Sequence, residues 1–315
     1  MNILRLSGQV PPGMGEALAE FESGFSYPLG SSGRFRISHG ADYLPFFRAM
    51  GEPEVLMLED GGSIQGGLAR VQRSLELREG QGTTRRIAHY LCDLKLRTAA
   101  RGSLVLPRLI RATKQAIESS ASVCCYCVVM EGTGKLPTDY TGRLGVPRFE
   151  KLGEIAILRI EAGGEAISAD LSPAEFEKLR AAIAPQGFSA PDADASLRSL
   201  MEPLPLAIPS GDACGIVEDT RRGKRLFLES GEEMVSAHLS RFACATPRAG
   251  AALLRMAAAR AGALGMPAMF VAVPQREAAE ILSGLAGLKV LLAPAVVYGH
   301  ALEPGHDWWI DTAEI

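Results

Sequence analysis

The chain has 315 residues, 47% of them hydrophobic and 22% charged, with a formal net charge of −3. That length favours two domains over one. The composition excludes wholesale disorder, and the charge leaves no footprint for nucleic acid. The most apolar window, Ala251 to Pro274, is broken by Arg255, Arg260, Gly262, Gly265 and Pro267, so it predicts no membrane span. The cysteines Cys92, Cys124, Cys125, Cys127, Cys214 and Cys244 lack the paired spacing of a zinc site, and His238, His300 and His306 have no ligand spacing. No metal is expected. Free thiols and the lack of a long apolar leader point to a reducing cytoplasm.

Residues 1–33 begin irregularly. Pro11-Pro12-Gly13 marks a turn, Glu16 to Phe21 suits a short helix, and Gly30-Ser31-Ser32-Gly33 reads as a flexible joint. Phe35 to Ser38 predicts a strand, and Ala41 to Met50 a helix with Tyr43, Phe46, Phe47 and Met50 at helical spacing. Val55 to Leu58 and Ile64 to Leu75 predict strands joined by an Asp60-Gly61 hairpin turn. The charged loop Arg78 to Gly82 leads into the stretch that organises the chain.

That stretch runs from Arg85 to Met130. Ile87 to Leu96 is strand-like, with Leu94 and Leu96 on one face and Asp93 and Lys95 on the other. The basic turn Arg97 to Ser103 follows. Leu106, Leu109, Ile110, Thr113 and Ile117 then recur at helical spacing, and Val123 to Met130 predicts a buried strand. A strand entering a helix through a basic, glycine-bearing turn suits an anion, most often a phosphate, because the first helical N–H groups lack partners and the dipole favours negative charge. An ordinary strand–helix–strand crossover with solubilising arginines gives the same pattern.

Beyond Met130 the chain loops through Gly132, Gly134 and Pro137 to a short helical segment near Asp139, then a long strand run, Arg148 to Ile160. Glu161 to Gly164 is the best boundary on composition, giving expected domains 1–162 and 165–315. The second half opens with a capping box, Ser172-Pro173-Ala174-Glu175, and a helix to Ile183. A second helical stretch, Asp192 to Met201, is expected. Ala213 to Val217 and Lys224 to Leu228 suggest a strand pair, and Met234 to Ala245 a longer strand. The apolar helix Pro247 to Leu264, the strand Ala268 to Val273, the amphipathic helix Gln275 to Leu285 and the strand Leu288 to Val297 follow. Trp308-Trp309-Ile310 is expected to close the sheet. Both halves thus repeat one order of elements at an offset of about 145 residues, and Arg248 to Leu254 stands where Arg101 to Ile110 stands in the first.

The segment Leu96 to Leu106 resembles the pyrophosphate-binding segment of the GNAT N-acetyltransferase superfamily: a strand, an Arg-Gly turn and a helix. Tyr140, followed by Leu144-Gly145-Val146, resembles the family's tyrosine ahead of a Leu-Gly-Phe segment. Counted from Arg101, the family's small turn residues fall at Leu104 and Leu106; counted from Arg97, they fall at Ala100 and Gly102. The resemblance covers most of residues 35–160 and, more weakly, 210–315. It implies an α/β (α+β) chain of two tandem GNAT-like domains, each a mixed, mostly antiparallel sheet flanked by helices, the second more degenerate.

The implied activity is N-acyl transfer from acetyl-CoA, or another acyl-CoA, to a primary amine on a small molecule or peptide. Cofactor contacts are implied at Leu94, Leu96, Arg97, Arg101, Gly102, Ser103 and Leu104. Tyr140 is the implied proton donor to the departing thiolate, with a Tyr packed on the sheet as the alternative. Candidate bases are Asp93, His89 and Glu131. Asp93 and Lys95 share a face and can neutralise each other, and His89 can be a satisfied core histidine. A non-catalytic acyl-CoA binder or scaffold is the other reading. No nucleic-acid or membrane partner is expected, and a homodimer is left open.

Overall fold

The alternating runs of the first half fold into a meander. In a computed structural model describing residues 1–28, 33–143, 145–164 and 170–315, the chain opens with β1 (Asn2–Leu6), α1 (Met14–Ser23), β2 (Tyr27–Pro28), β3 (Arg34–Ser38) and α2 (Pro45–Arg48). β4 (Glu52–Asp60), β5 (Ser63–Glu79) and β6 (Gly82–Leu96) then run antiparallel. Gly61 and Gly62, with φ of 59° and 81°, supply the left-handed pair that the first hairpin needs. α3 (Val105–Glu118), β7 (Cys125–Met130), α4 (Pro137–Tyr140) and β8 (Glu150–Glu161) complete the first half.

The second half contains α5 (Pro173–Ile183), β9 (Gly187–Ser189), β10 (Leu204–Ala207), β11 (Ala213–Glu218), β12 (Arg225–Leu228) and β13 (Ala237–Cys244). α6 (Pro247–Ala263), β14 (Ala268–Pro274), α7 (Gln275–Gly284), β15 (Val290–His300) and β16 (Trp308–Trp309) follow. The Ser172 capping box forms as expected, with Ser172 Oγ accepting from Glu175 N. Residues 30–32 of the expected joint, and Leu144, lie outside the described residues.

Among the described residues the main sheet has 13 strands, along the path β1-β4-β5-β6-β7-β15-β8-β14-β13-β11-β10, with β9 and β16 attached through β5. A small second sheet, β12-β3-β2, joins strands from both halves. β15 of the second half lies between β7 and β8, and β8 pairs on its other edge with β14. The two halves therefore share one continuous hydrogen-bonded ladder. Alternation on β8 sends Ile155 and Ile157 into a core with Phe21, Tyr43, Tyr90 and Trp308, and Ala156, Leu158 and Ile160 into the core under α6 and α7. Each large apolar side chain so buried contributes about 1.5–3 kcal/mol.

Several expectations are corrected. The Ala41–Met50 helix is reduced to Pro45–Arg48, because Tyr43 takes a left-handed conformation (φ 58°) and Pro45 starts a new turn. The Asp192–Met201 helix is one three-ten turn, Ala195–Leu197, capped by Asp194. β11 and β12 do not pair with each other: Asp219 caps a turn at Thr220–Arg222 that sends β12 to β3 instead. The Arg78–Gly82 loop is a tight hairpin between β5 and β6. β1, which carries no strong sequence signal, pairs with β4. No helix among the described residues is long and apolar enough to cross a membrane.

Candidate active site

β6 and β7 are parallel neighbours, yet they pair at two positions only, His89 with Cys125 and Tyr90 with Tyr126. Beyond Tyr90 they part. β6 stays on β5 through Leu96, while β7 follows β15 through Met130. Backbone groups on the two inner edges are left facing a wedge. Its closed end carries the stacked rings of Tyr90 and Tyr126, 5.0 Å apart. β6 is bulged along the wedge: Cys92 faces Ala69 and Lys95 faces Gly67, so Asp93 and Leu94 stand opposite Leu68 alone. Asp93 has φ 55°, which is rare outside glycine.

The turn beyond Leu96 is folded by its own bonds. Ala100 N donates to Arg97 O, Arg101 N to Thr98 O, and Ser103 N to Ala100 O. Ser103 Oγ donates to Ala100 O and accepts from Val105 N, so Ser103 shapes the corner. Gly102 sits at φ 81°, where a side chain would be strained. The amides of Gly102, Leu104 and Leu106 have no acceptor among the described residues. Leu104 is 64% exposed and does not fill the corner, whereas Leu96 packs beneath α3 with Leu56, Leu58, Val105 and Leu109. Unpaired N–H groups at the start of a 14-residue helix form an anion-binding arrangement. Arg101 is exposed beside them. Arg97 is tied down: its Nε donates to Ile64 O at 2.6 Å, and its guanidinium pairs with Glu20 and lies over Phe21.

A buried ionic cluster lies behind the bulge. Lys95 Nζ is 2.6 Å from Asp93 Oδ1 and 2.9 Å from Glu22 Oε1. Tyr43 Oη donates to Asp93 Oδ2 at 2.6 Å. Glu22 also holds His39, through Nδ1 at 2.6 Å and the backbone N at 2.9 Å. Burial by itself would raise the Glu22 carboxyl; His39 and Lys95 outweigh it and hold the group well below its ordinary value. Burial opposes the charge on Lys95, yet Asp93, Tyr27 and Glu22 hold it above its ordinary value. Burial, and then Asp93, keep the Tyr43 phenol protonated. Glu22, His39 and Asp93 come close enough together to ligate a metal ion, but the Lys95 ammonium bridges both carboxylates, so the cation there is the lysine.

The other predicted residues lie outside this cluster. His89 is fully buried at the closed end, with Arg70 Nη1 at its Nδ1 and Ser120 Oγ and Ser122 O at its Nε2. Burial lowers its pKa. Glu131 is exposed just past β7, its N donating to Pro294 O. Tyr140 ends α4, half-buried; burial and then Cys127 of β7 raise its phenol above the ordinary value. No sequence spacing marks Glu22, His39 and Tyr43: from distant segments, Glu22 reaches Lys95, Tyr43 reaches Asp93, and His39 reaches Glu22.

The second half repeats the wedge without the turn. β13 and β14 pair at Ala237–Met269 and His238–Phe270 only, and then part. Ala245 and Thr246 alone join β13 to α6, and Thr246 Oγ accepts from Ala249 N at 3.2 Å. That cap occupies the helix start which the first half leaves open.

An apolar cavity of about 60 Å³ lies where the halves meet, walled by Phe35, Met130, Phe270 and Leu291, with Arg159, Lys224, His238 and Thr312 as polar members. Lys224 Nζ donates to Thr312 O and Ile315 O, and burial, with Arg198 nearby, pushes its ammonium down to about 7.

No protein-family model matches the chain, and no curated protein matches its sequence. Solved structures do match. Saccharomyces cerevisiae N-myristoyltransferase with bound myristoyl-CoA is similar at a TM-score of 0.67 and 9% identity, covering 96% of this chain and 84% of that one. A second structure of that enzyme with myristoyl-CoA gives 0.66 at 9% identity, covering 96% and 80%. A third, with myristoyl-CoA and inhibitors, gives 0.62 at 8% identity, covering 96% and 81%. At such identity the likeness is one of fold. Two parted parallel pairs within one shared sheet give this chain the fold of those N-myristoyltransferase structures.

Proposed function

We propose that the chain is an acyl-CoA-dependent N-acyltransferase that moves an acetyl or other short acyl group to a primary amine. The observation that carries this is the wedge between β6 and β7, which opens beside a turn whose Gly102, Leu104 and Leu106 amides are unpaired. The CoA pyrophosphate sits on those amides with Arg101, and the Ser103-closed turn fixes their direction. The pantetheine follows the inner edge of β6 from Leu96 to Leu94. The thioester carbonyl points at the peptide groups of the bulge, where donors stabilise the negative charge that develops on oxygen.

The amine nitrogen forms a bond to the carbonyl carbon, and the C–S bond breaks. The amine proton passes to Glu131 directly or through water, and Tyr140 returns a proton to the thiolate. Asp93 is a poor direct acceptor, because Lys95 and Tyr43 already occupy both of its oxygens. Met130 takes the wedge to the apolar cavity, whose size suits a small acceptor or a short acyl chain. The known structures named above hold an acyl-CoA, which supports that class of co-substrate. Unpaired cysteines suit a reducing compartment such as the cytoplasm. Domains at 1–162 and 165–315 fit the repeat, with strands exchanged across the boundary.

One observation favours a non-catalytic acyl-CoA binder: the ring nitrogens of His89 and the oxygens of Asp93 are all engaged. Thiol release from acetyl-CoA across an amine panel, run beside thermal shift with acetyl-CoA, decides. Turnover supports the transferase, a shift without turnover supports the binder, and no shift removes both.

A further inference from the structure

The cluster behind the bulge is more elaborate than packing requires. Leu18 and Phe21 already seat α1 on the sheet, both fully buried. Yet α1 also sends Glu22 to Lys95, the segment before α2 sends Tyr43 to Asp93, and the loop after β3 sends His39 to Glu22. Tyr27 of β2 completes the surround, its phenol held protonated by burial. Tyr43 and Asp93 both hold left-handed backbone, φ 58° and 55°, and they are hydrogen-bonded to each other. Such conformations persist only where the surroundings over-determine them. Asp93 is fixed at both oxygens, and Lys95, two residues on, is fixed by two carboxylates, so the bulge is clamped on each side of Leu94.

We propose that Tyr43, Lys95, Glu22 and His39 are positioning residues that hold the β6 bulge, and so aim the Asp93–Leu94 peptide groups at the thioester carbonyl. This rests on the transferase reading given above. In that role the Asp93 carboxylate acts through its own backbone conformation and forms no bond to substrate.

The test uses the full chain, acetyl-CoA and the best amine of the panel, with kcat and KM from thiol release and Kd for CoA from calorimetry. Lys95→Met is expected to lower kcat about tenfold or more, as displaced donors do, while Kd for CoA stays within about twofold. Tyr43→Phe keeps the ring and loses one bond, so its fall is smaller. Asp93→Gly is expected to turn over about tenfold faster than Asp93→Ala, because glycine takes this φ without strain. That comparison holds even if Lys95→Met fails to fold. Equal rates for the two Asp93 variants would mean that the carboxylate itself is needed, and would overturn the proposal, as would wild-type kcat in folded Lys95→Met. Failure of the transferase reading shows separately, as wild-type protein that binds no CoA or releases none with any amine, and it takes this inference with it.

Discussion

Asp93 and Arg241 occupy the same place in the two halves. Each is three residues past the last paired position of a parallel strand pair, at Tyr90 and His238, and each is a left-handed bulge residue, with φ of 55° and 52°. Asp93 is held by side chains of the first half, whereas Arg241 N donates to Asp311 Oδ1 near the end of the chain. A common backbone device has thus been fixed by unrelated contacts, as expected of a duplication whose halves diverged. The halves differ where chemistry would differ, at the turn. Thr246→Ala removes a helix cap worth about 1 kcal/mol. Its melting temperature should fall by a few degrees while Kd for CoA, measured by calorimetry, stays unchanged. A weakened Kd would mean that the second half also binds CoA.

The first-half turn makes the opposite prediction. Gly102→Val forces a branched side chain into φ 81° beside the unpaired amides, and Kd for acetyl-CoA should rise about tenfold or more. Arg101→Ala removes an exposed cation, so its effect should be nearer threefold and should fade with added salt. Titration at low and high ionic strength separates the two.

The local parts of this site are legible in the sequence. The Asp93/Lys95 alternation places both side chains on one face, where they pair. The Arg97–Ser103 turn and the helix after it are marked by composition and period. The rest depends on contacts that no window contains. Glu22 meets Lys95, and His39 meets Glu22, because α1 and β3 fold over β6. The bulge is invisible because strand alternation continues through it. The placing of β15 between β7 and β8 is a long-range choice that either strand's pattern allows. Tyr43 reads as helical because its spacing to Phe46 and Phe47 is helical, but it takes left-handed backbone and bonds Asp93 instead.

The pH dependence of stability should report the cluster. The folded-state pKa of Glu22 lies below its ordinary value of 4.5. Its contribution is therefore fully present above that value and is lost as pH falls below it. Glu22→Gln should be about 3 kcal/mol less stable than wild type at pH 7, as for other broken buried pairs. The gap should narrow as urea melts are taken from pH 5 down to pH 3. A constant gap would show that the carboxylate charge is not what the site uses.

A second buried cluster ties the last residues to both halves. Arg73 of β5 holds Glu314 through two bonds, at 2.6 and 3.0 Å, and Arg198 adds a third contact at 3.4 Å while pairing with Glu218. Tyr90 of β6 donates to Glu314 O. Arg73→Met leaves the carboxylate with one distant cation and should cost about 3–5 kcal/mol. Chemical denaturation should show this as a shifted midpoint with an unchanged slope.

Tyr140 separates chemistry from binding. Burial keeps its phenol protonated, so it carries a proton and cannot serve as the base. Tyr140 lies near Cys127 of β7, whereas the pyrophosphate in our proposal sits on the turn after β6. Tyr140→Phe should therefore lower kcat by about a hundredfold, within the range of general acid catalysis, and leave Kd for CoA alone. The loss should shrink for acyl donors whose leaving thiol is more acidic, because such a thiolate needs less help to depart. Turnover at the wild-type rate would remove Tyr140 from the mechanism, and a loss equal for every donor would make it a packing residue.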